Sequence, residues 1–81
     1  MAHVQLVKPL QEYQLEVTFE NGERRLFDAK PYLNRGSFSR LKDVTLFNQA
    51  YVAYDTVCWP GDLDISPDTI YMCSKPAENR N

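Results

Sequence analysis

The side chains best suited to chemistry lie between Trp59 and Tyr71, where Asp62 and Asp64 could serve as acid and base on a substrate held near the two rings. No Lys or Arg lies near them to hold an anionic substrate, and acids beside Pro60-Gly61 ordinarily serve turns and helix entries. The stretch Asp62-Leu63-Asp64-Ile65-Ser66 also opens like a calcium loop, with oxygen ligands at positions one, three and five. Its sixth position is Pro67 rather than Gly and its twelfth is Cys73 rather than Glu, so the loop is not completed. A Ser or Cys nucleophile needs a histidine base, and the single histidine is His3, among the first three residues. Three glycines cannot build a phosphate cradle, and no P-loop, GxSxG or HExxH occurs. These residues assign no catalytic group, no cofactor and no metal. What remains is a candidate binding face of Trp59, Asp62, Asp64 and Tyr71.

The elements that would position this face fit in one small domain, because 81 residues fall below the usual domain size of about 100–200. Such a chain buries only about 60–65% of its unfolded surface, enough for one thin core and no cleft between lobes. The longest apolar run, residues 50–54, is far short of the roughly 20 residues of a membrane span. Residues 1–9 carry no basic cluster before an apolar stretch and do not read as a secretory signal. Cys58 and Cys73 fit no CxxC pattern and are expected to be reduced and buried. Together these point to a cytoplasmic protein that does not enter the membrane.

The formal net charge of −2 conceals segregation along the chain: −3 over residues 1–23, +5 over 24–42, −5 over 43–74 and +1 over the remainder. If folding keeps these blocks apart, they offer complementary patches to a partner or to a second copy. If it mixes them, the surface is ordinary interspersed charge. A pI near 5.2 argues against nucleic acid as a partner for this chain alone.

Period-two alternation from Tyr13 through Phe19, followed by Asn21-Gly22, predicts a β-hairpin with a two-residue type I′ turn. That turn sets Val17 opposite Leu26 and Glu16 opposite Phe27, which puts Phe27 on the outer face, where the rest of the chain is expected to cover it rather than leave an exposed aromatic. Residues 4–7 add an earlier strand and complete a meander. Pro31 opens a single helical turn, and Asp43 caps a two-turn helix over residues 44–50. Residues 51–54 and 56–59 are β-rich, and Pro60-Gly61 suits the centre of a type II turn. Ser66-Pro67-Asp68 opens a last helix through about Cys73. The expected fold is α+β: one domain over residues 1–73, an antiparallel meander sheet packed with two short helices, then a disordered polar tail over residues 74–81.

Taken in order, Lys8-Pro9, Leu15-Glu16-Val17-Thr18-Phe19, Phe27-Asp28, Gly36-Ser37-Phe38, Val57-Cys58-Trp59-Pro60 and Asp64-Ile65-Ser66-Pro67-Asp68-Thr69-Ile70-Tyr71 resemble the bacterial domain-of-unknown-function family twenty-four forty-two. The resemblance covers residues 4–73, with one departure: many relatives carry Asn-Gly after Trp-Pro, where this chain has Gly61-Asp62. It implies a compact α+β domain. Members often stand beside a small toxin-like protein, which implies a non-enzymatic protein-binding module, the antitoxin or accessory half of a toxin-antitoxin pair. Longer relatives append a DNA-reading helix-turn-helix that does not occur in these 81 residues, and a molybdopterin-biosynthesis label on some finds no support in them. The expected partner is a protein encoded nearby, with a homo-oligomer as a further outcome. The alternative is a small-ligand or substrate-binding domain using the Trp59 to Tyr71 region.

Overall fold

The computed structural model describes residues 2–77. Two antiparallel sheets share one core. The first consists of β1 (Val4–Pro9), β2 (Gln14–Phe19), β3 (Arg24–Asp28) and β7 (Ser74–Pro76) in that spatial order. The second is a meander of β4 (Tyr51–Ala53), β5 (Thr56–Trp59) and β6 (Leu63–Ile65). Helix α1 (Val44–Phe47) precedes the second sheet and α2 (Pro67–Met72) follows it. The α+β expectation holds, with the β-rich runs after residue 50 forming a sheet of their own. Among the described residues no helix is long and apolar enough to cross a membrane.

The hairpin turns differently from its sequence expectation. Gly22 N donates to Phe19 O and Phe19 N to Glu23 O, each at 2.9 Å, which closes a three-residue loop, Glu20-Asn21-Gly22. Gly22 sits at φ +92° while Asn21 keeps a negative φ, so the turn is a type I turn with a glycine bulge rather than type I′. Asn21 instead uses its side chain, with Oδ1 accepting from Glu23 N at 2.9 Å. The extra loop residue shifts the register by one. Val17 lies opposite Arg25, Glu16 opposite Leu26 and Leu15 opposite Phe27. A one-residue shift exchanges faces, so Phe27 points into the core and is fully buried, correcting its outward assignment, while Leu26 faces outward.

The core joins Leu15, Val17, Phe19 and Phe27 of the first sheet to Val57, Trp59, Leu63 and Ile65 of the second, with Leu41, Phe47 and Ile70 between. Strand β5 is buried at all four residues because it is central in its sheet and covered on both faces. Its polar groups are satisfied from within. Trp59 Nε1 donates to Phe47 O at 3.0 Å and Thr56 Oγ1 to Ile65 O. No buried side-chain N or O among the described residues lacks a partner.

Both helix caps follow the sequence: Asp43 accepts from Thr45 N, and Ser66 accepts from Thr69 N with Pro67 at the first position. Helix α1 is shorter than expected and ends at Phe47. Residues 74–76, assigned above to a polar tail, instead pair with β3 and complete the first sheet. Backbone hydrogen bonding to an open strand needs no apolar side chain, so composition did not reveal it. Residues 78–81 of that tail lie outside the described residues.

At Pro60-Gly61, Gly61 takes φ +92° as a type II turn requires, and Asp62 follows at φ 64°. Arg40 Nη2 donates to Gly61 O at 3.0 Å, and a Cβ on Gly61 would lie 2.7 Å from Arg40 Nη1. Gly61→Ala is expected to cost about 1–2 kcal/mol, chiefly from the left-handed backbone, since the guanidinium can swing aside. The same cost in an Arg40→Ala background, measured by urea unfolding, would assign it to φ. A smaller cost there would assign it to the contact.

Candidate functional site

The structure does not bring Trp59, Asp62, Asp64 and Tyr71 onto one face. Trp59 is 1% exposed, packed 6.1 Å from the Phe47 ring and tied to its carbonyl, so it offers no surface to a ligand. Asp62 sits in the β5–β6 turn and Asp64 faces out from β6 opposite Cys58. Tyr71 lies on α2 and turns to the other sheet: its ring meets Phe19 edge-on at 5.2 Å, Arg25 lies 4.4 Å beneath it, and its hydroxyl donates to Glu23 at 3.1 Å. That hydrogen bond to a carboxylate, reinforced by desolvation, raises the Tyr71 pKa. No cluster of three or more His, Cys, Asp or Glu that could hold a metal occurs among the described residues.

Charge mixes across the first sheet. Arg24 bridges to Glu16, Arg25 lies 3.9 Å from Glu23, and Lys30 3.2 Å from Asp28. Much of the basic block is therefore neutralised by acids of the hairpin. Among the described residues the acids after residue 42 find no comparable cation partners: Asp43 caps α1, Asp55 meets His3 at 3.1 Å, and Asp68 accepts from Ala2 N at 2.9 Å.

The groove that Tyr71 does line is a different one, of about 660 Å³, between α2, the N-terminal segment and the β2–β3 turn. Tyr71, backed by the buried Phe19 ring, contributes its aromatic wall, and His3, Glu20, Asp68 and Met72 surround it. Met72 is 81% exposed. Beside His3 stands the β4–β5 turn, since Asp55 holds the His3 ring and its carbonyl accepts from Val4 N at 2.8 Å. At that turn Tyr54 is 93% exposed. Both turn residues have positive φ, 54° at Tyr54 and 64° at Asp55, a backbone suited to Asn-Gly and unfavourable for an aromatic residue. Sequence reading missed Tyr54, His3, Glu20, Asp68 and Met72 as a group because they come from four distant segments. The one local signal was the two-residue turn between β-rich runs, with an aromatic where Asn or Gly is usual.

The cysteines part company. Cys58 is buried as expected, and burial together with the Asp64 charge raises its thiol pKa; Cys73 is exposed, correcting its assignment to the interior. Iodoacetamide is expected to label Cys73 alone in the native protein and both thiols in urea, read by intact mass. Two native labels would mean that β5 opens readily.

A family model described as a protein of unknown function, DUF2442, matches residues 4–76. No curated protein and no solved structure matches the chain.

Proposed function

The chain belongs to the DUF2442 family of unknown function, and from there we propose that it is a non-enzymatic protein-binding module, the antitoxin or accessory half of a bacterial toxin-antitoxin pair. One observation carries the reading: Met72, a large apolar side chain left 81% exposed, lines a groove together with Tyr71. Scattered exposed apolar residues are ordinary on a monomer, but one set in a concavity beside a half-buried aromatic ring offers a surface that a protein partner would cover. The free thiols of Cys58 and Cys73 are compatible with a reducing cytoplasm. A small-ligand reading centred on Trp59 loses its aromatic platform, since that ring is enclosed in the core.

Co-expression with the product of the neighbouring gene, followed by affinity capture of this chain, tests the reading. A stoichiometric complex, with relief of the growth defect caused by the neighbour alone, supports it. Neither complex nor relief would overturn it.

A further inference from the structure

We infer that the α2 groove, extended by the Tyr54 turn, docks a Lys/Arg-bearing segment of a protein partner. This deepens the protein-binding reading above and rests on it.

The groove has a one-sided charge. Glu20 and Asp68 line it; Glu23, one hydrogen bond away through the Tyr71 hydroxyl, already has Arg25 at 3.9 Å, and Asp55 is one contact away through His3. No Lys or Arg lines it among the described residues. The cation nearest Tyr71, Arg25, lies beneath the ring and donates to Ser74 Oγ at 2.7 Å and Ser74 O at 2.8 Å, so it is committed below the surface. Among the described residues the Glu20 carboxylate pairs with no cation, and Asp68 accepts from the Ala2 amide alone. A partner bringing positive charge would complete these carboxylates, and its apolar side chains would cover Met72 and the Tyr71 ring.

Tyr54 supplies an independent argument for an external occupant. Its ring is held at a left-handed φ that Gly or Asn adopts without steric conflict, yet it makes no aromatic contact or hydrogen bond among the described residues. Its chain neighbour Asp55 holds His3, a residue of the groove lining, so the turn that carries the ring adjoins the groove. An exposed aromatic face beside carboxylates is suited to an Arg or Lys head.

The test uses the full chain, isotope-labelled, titrated with a 12-residue synthetic peptide alternating Lys or Arg with Leu, and with a matched peptide carrying Glu at the charged positions. The basic peptide is expected to shift the amide signals of Ala2, His3, Asn21, Asp68 and Met72, with an affinity that falls as salt is raised. Glu20→Gln is expected to weaken binding about threefold, the scale of one exposed ion pair. Tyr54→Asn should weaken it comparably while raising the urea midpoint, because Asn suits the turn; a ring with a merely structural role would lower the midpoint and leave the affinity unchanged. Shifts centred elsewhere, equal binding of the acidic peptide, or unchanged affinity in both variants would overturn the inference. So would concentration-dependent shifts of the same groove without peptide, which would make a second copy its occupant. A neighbouring gene product that binds both variants as tightly as the parent would remove the groove and leave the protein-binding reading standing. Peptide binding at the groove with no captured neighbour would do the reverse to the antitoxin reading.

Discussion

Trp59→Ala is expected to bring the protein to the margin of folding at room temperature, with an unfolded fraction already present without urea. Large-to-small changes at a buried aromatic cost about 3–5 kcal/mol, and a domain near the lower size limit has a total stability near the bottom of the usual range of about 5–15 kcal/mol. The ring also bridges two elements, since it packs on Phe47 of α1 and its indole N–H satisfies the Phe47 carbonyl. Trp59→Phe separates these roles: the apolar contacts mostly persist, and the carbonyl keeps only its longer bond from Ala50 N at 3.3 Å, at a cost of about 0.5–1.5 kcal/mol. Circular dichroism through a urea titration measures both variants. In the parent protein Trp59, the sole tryptophan, also reports unfolding by a red shift of its emission. A Trp59→Ala protein with a parental midpoint would contradict the enclosed position.

The second large effect discriminates between two hairpin registers. With Leu15 opposite Phe27, Phe27→Ala should cost about 3–5 kcal/mol and Leu26→Ala much less, because Leu26 is half-buried on the outer face. With Val17 opposite Leu26 the ranking would invert. Urea unfolding of the two variants side by side decides it, and equal costs would fit neither register.

That contrast shows where the sequence was legible. The alternation from Leu15 to Phe19, the caps Asp43 and Ser66, and the Pro60-Gly61 turn are local signals, and each appears in the fold. The register was not legible, because Asn21-Gly22 serves a two-residue or a three-residue loop and the choice depends on which face the rest of the chain covers. The chain places Asn-Gly in a bulged turn and Tyr54-Asp55 where two positive φ values are needed. Local preference is overridden there by Asp55, which is anchored to both His3 and Val4. The four-residue binding face failed for a related reason. Trp59, Asp62, Asp64 and Tyr71 are close in sequence, but β6 and α2 carry them to different surroundings. The groove instead depends on contacts between residues more than 45 apart, Ala2 with Asp68 and Tyr71 with Glu23, which no window of sequence displays.

The order of the strands carries a thermodynamic consequence for that groove. Strands β1 to β3 and β4 to β6 are two successive meanders, each built from neighbours in the chain, joined by β7 returning to β3. The groove takes His3, Phe19 and Glu20 from the first meander, and Asp68, Tyr71 and Met72 from the helix that follows the second. It is therefore complete only when the two halves have docked. A ligand of that surface binds the assembled state alone, so by mass action it draws the equilibrium away from partly separated forms. Occupancy and assembly of the two meanders are then linked quantities, and a bound partner would slow hydrogen exchange on both sides of the seam.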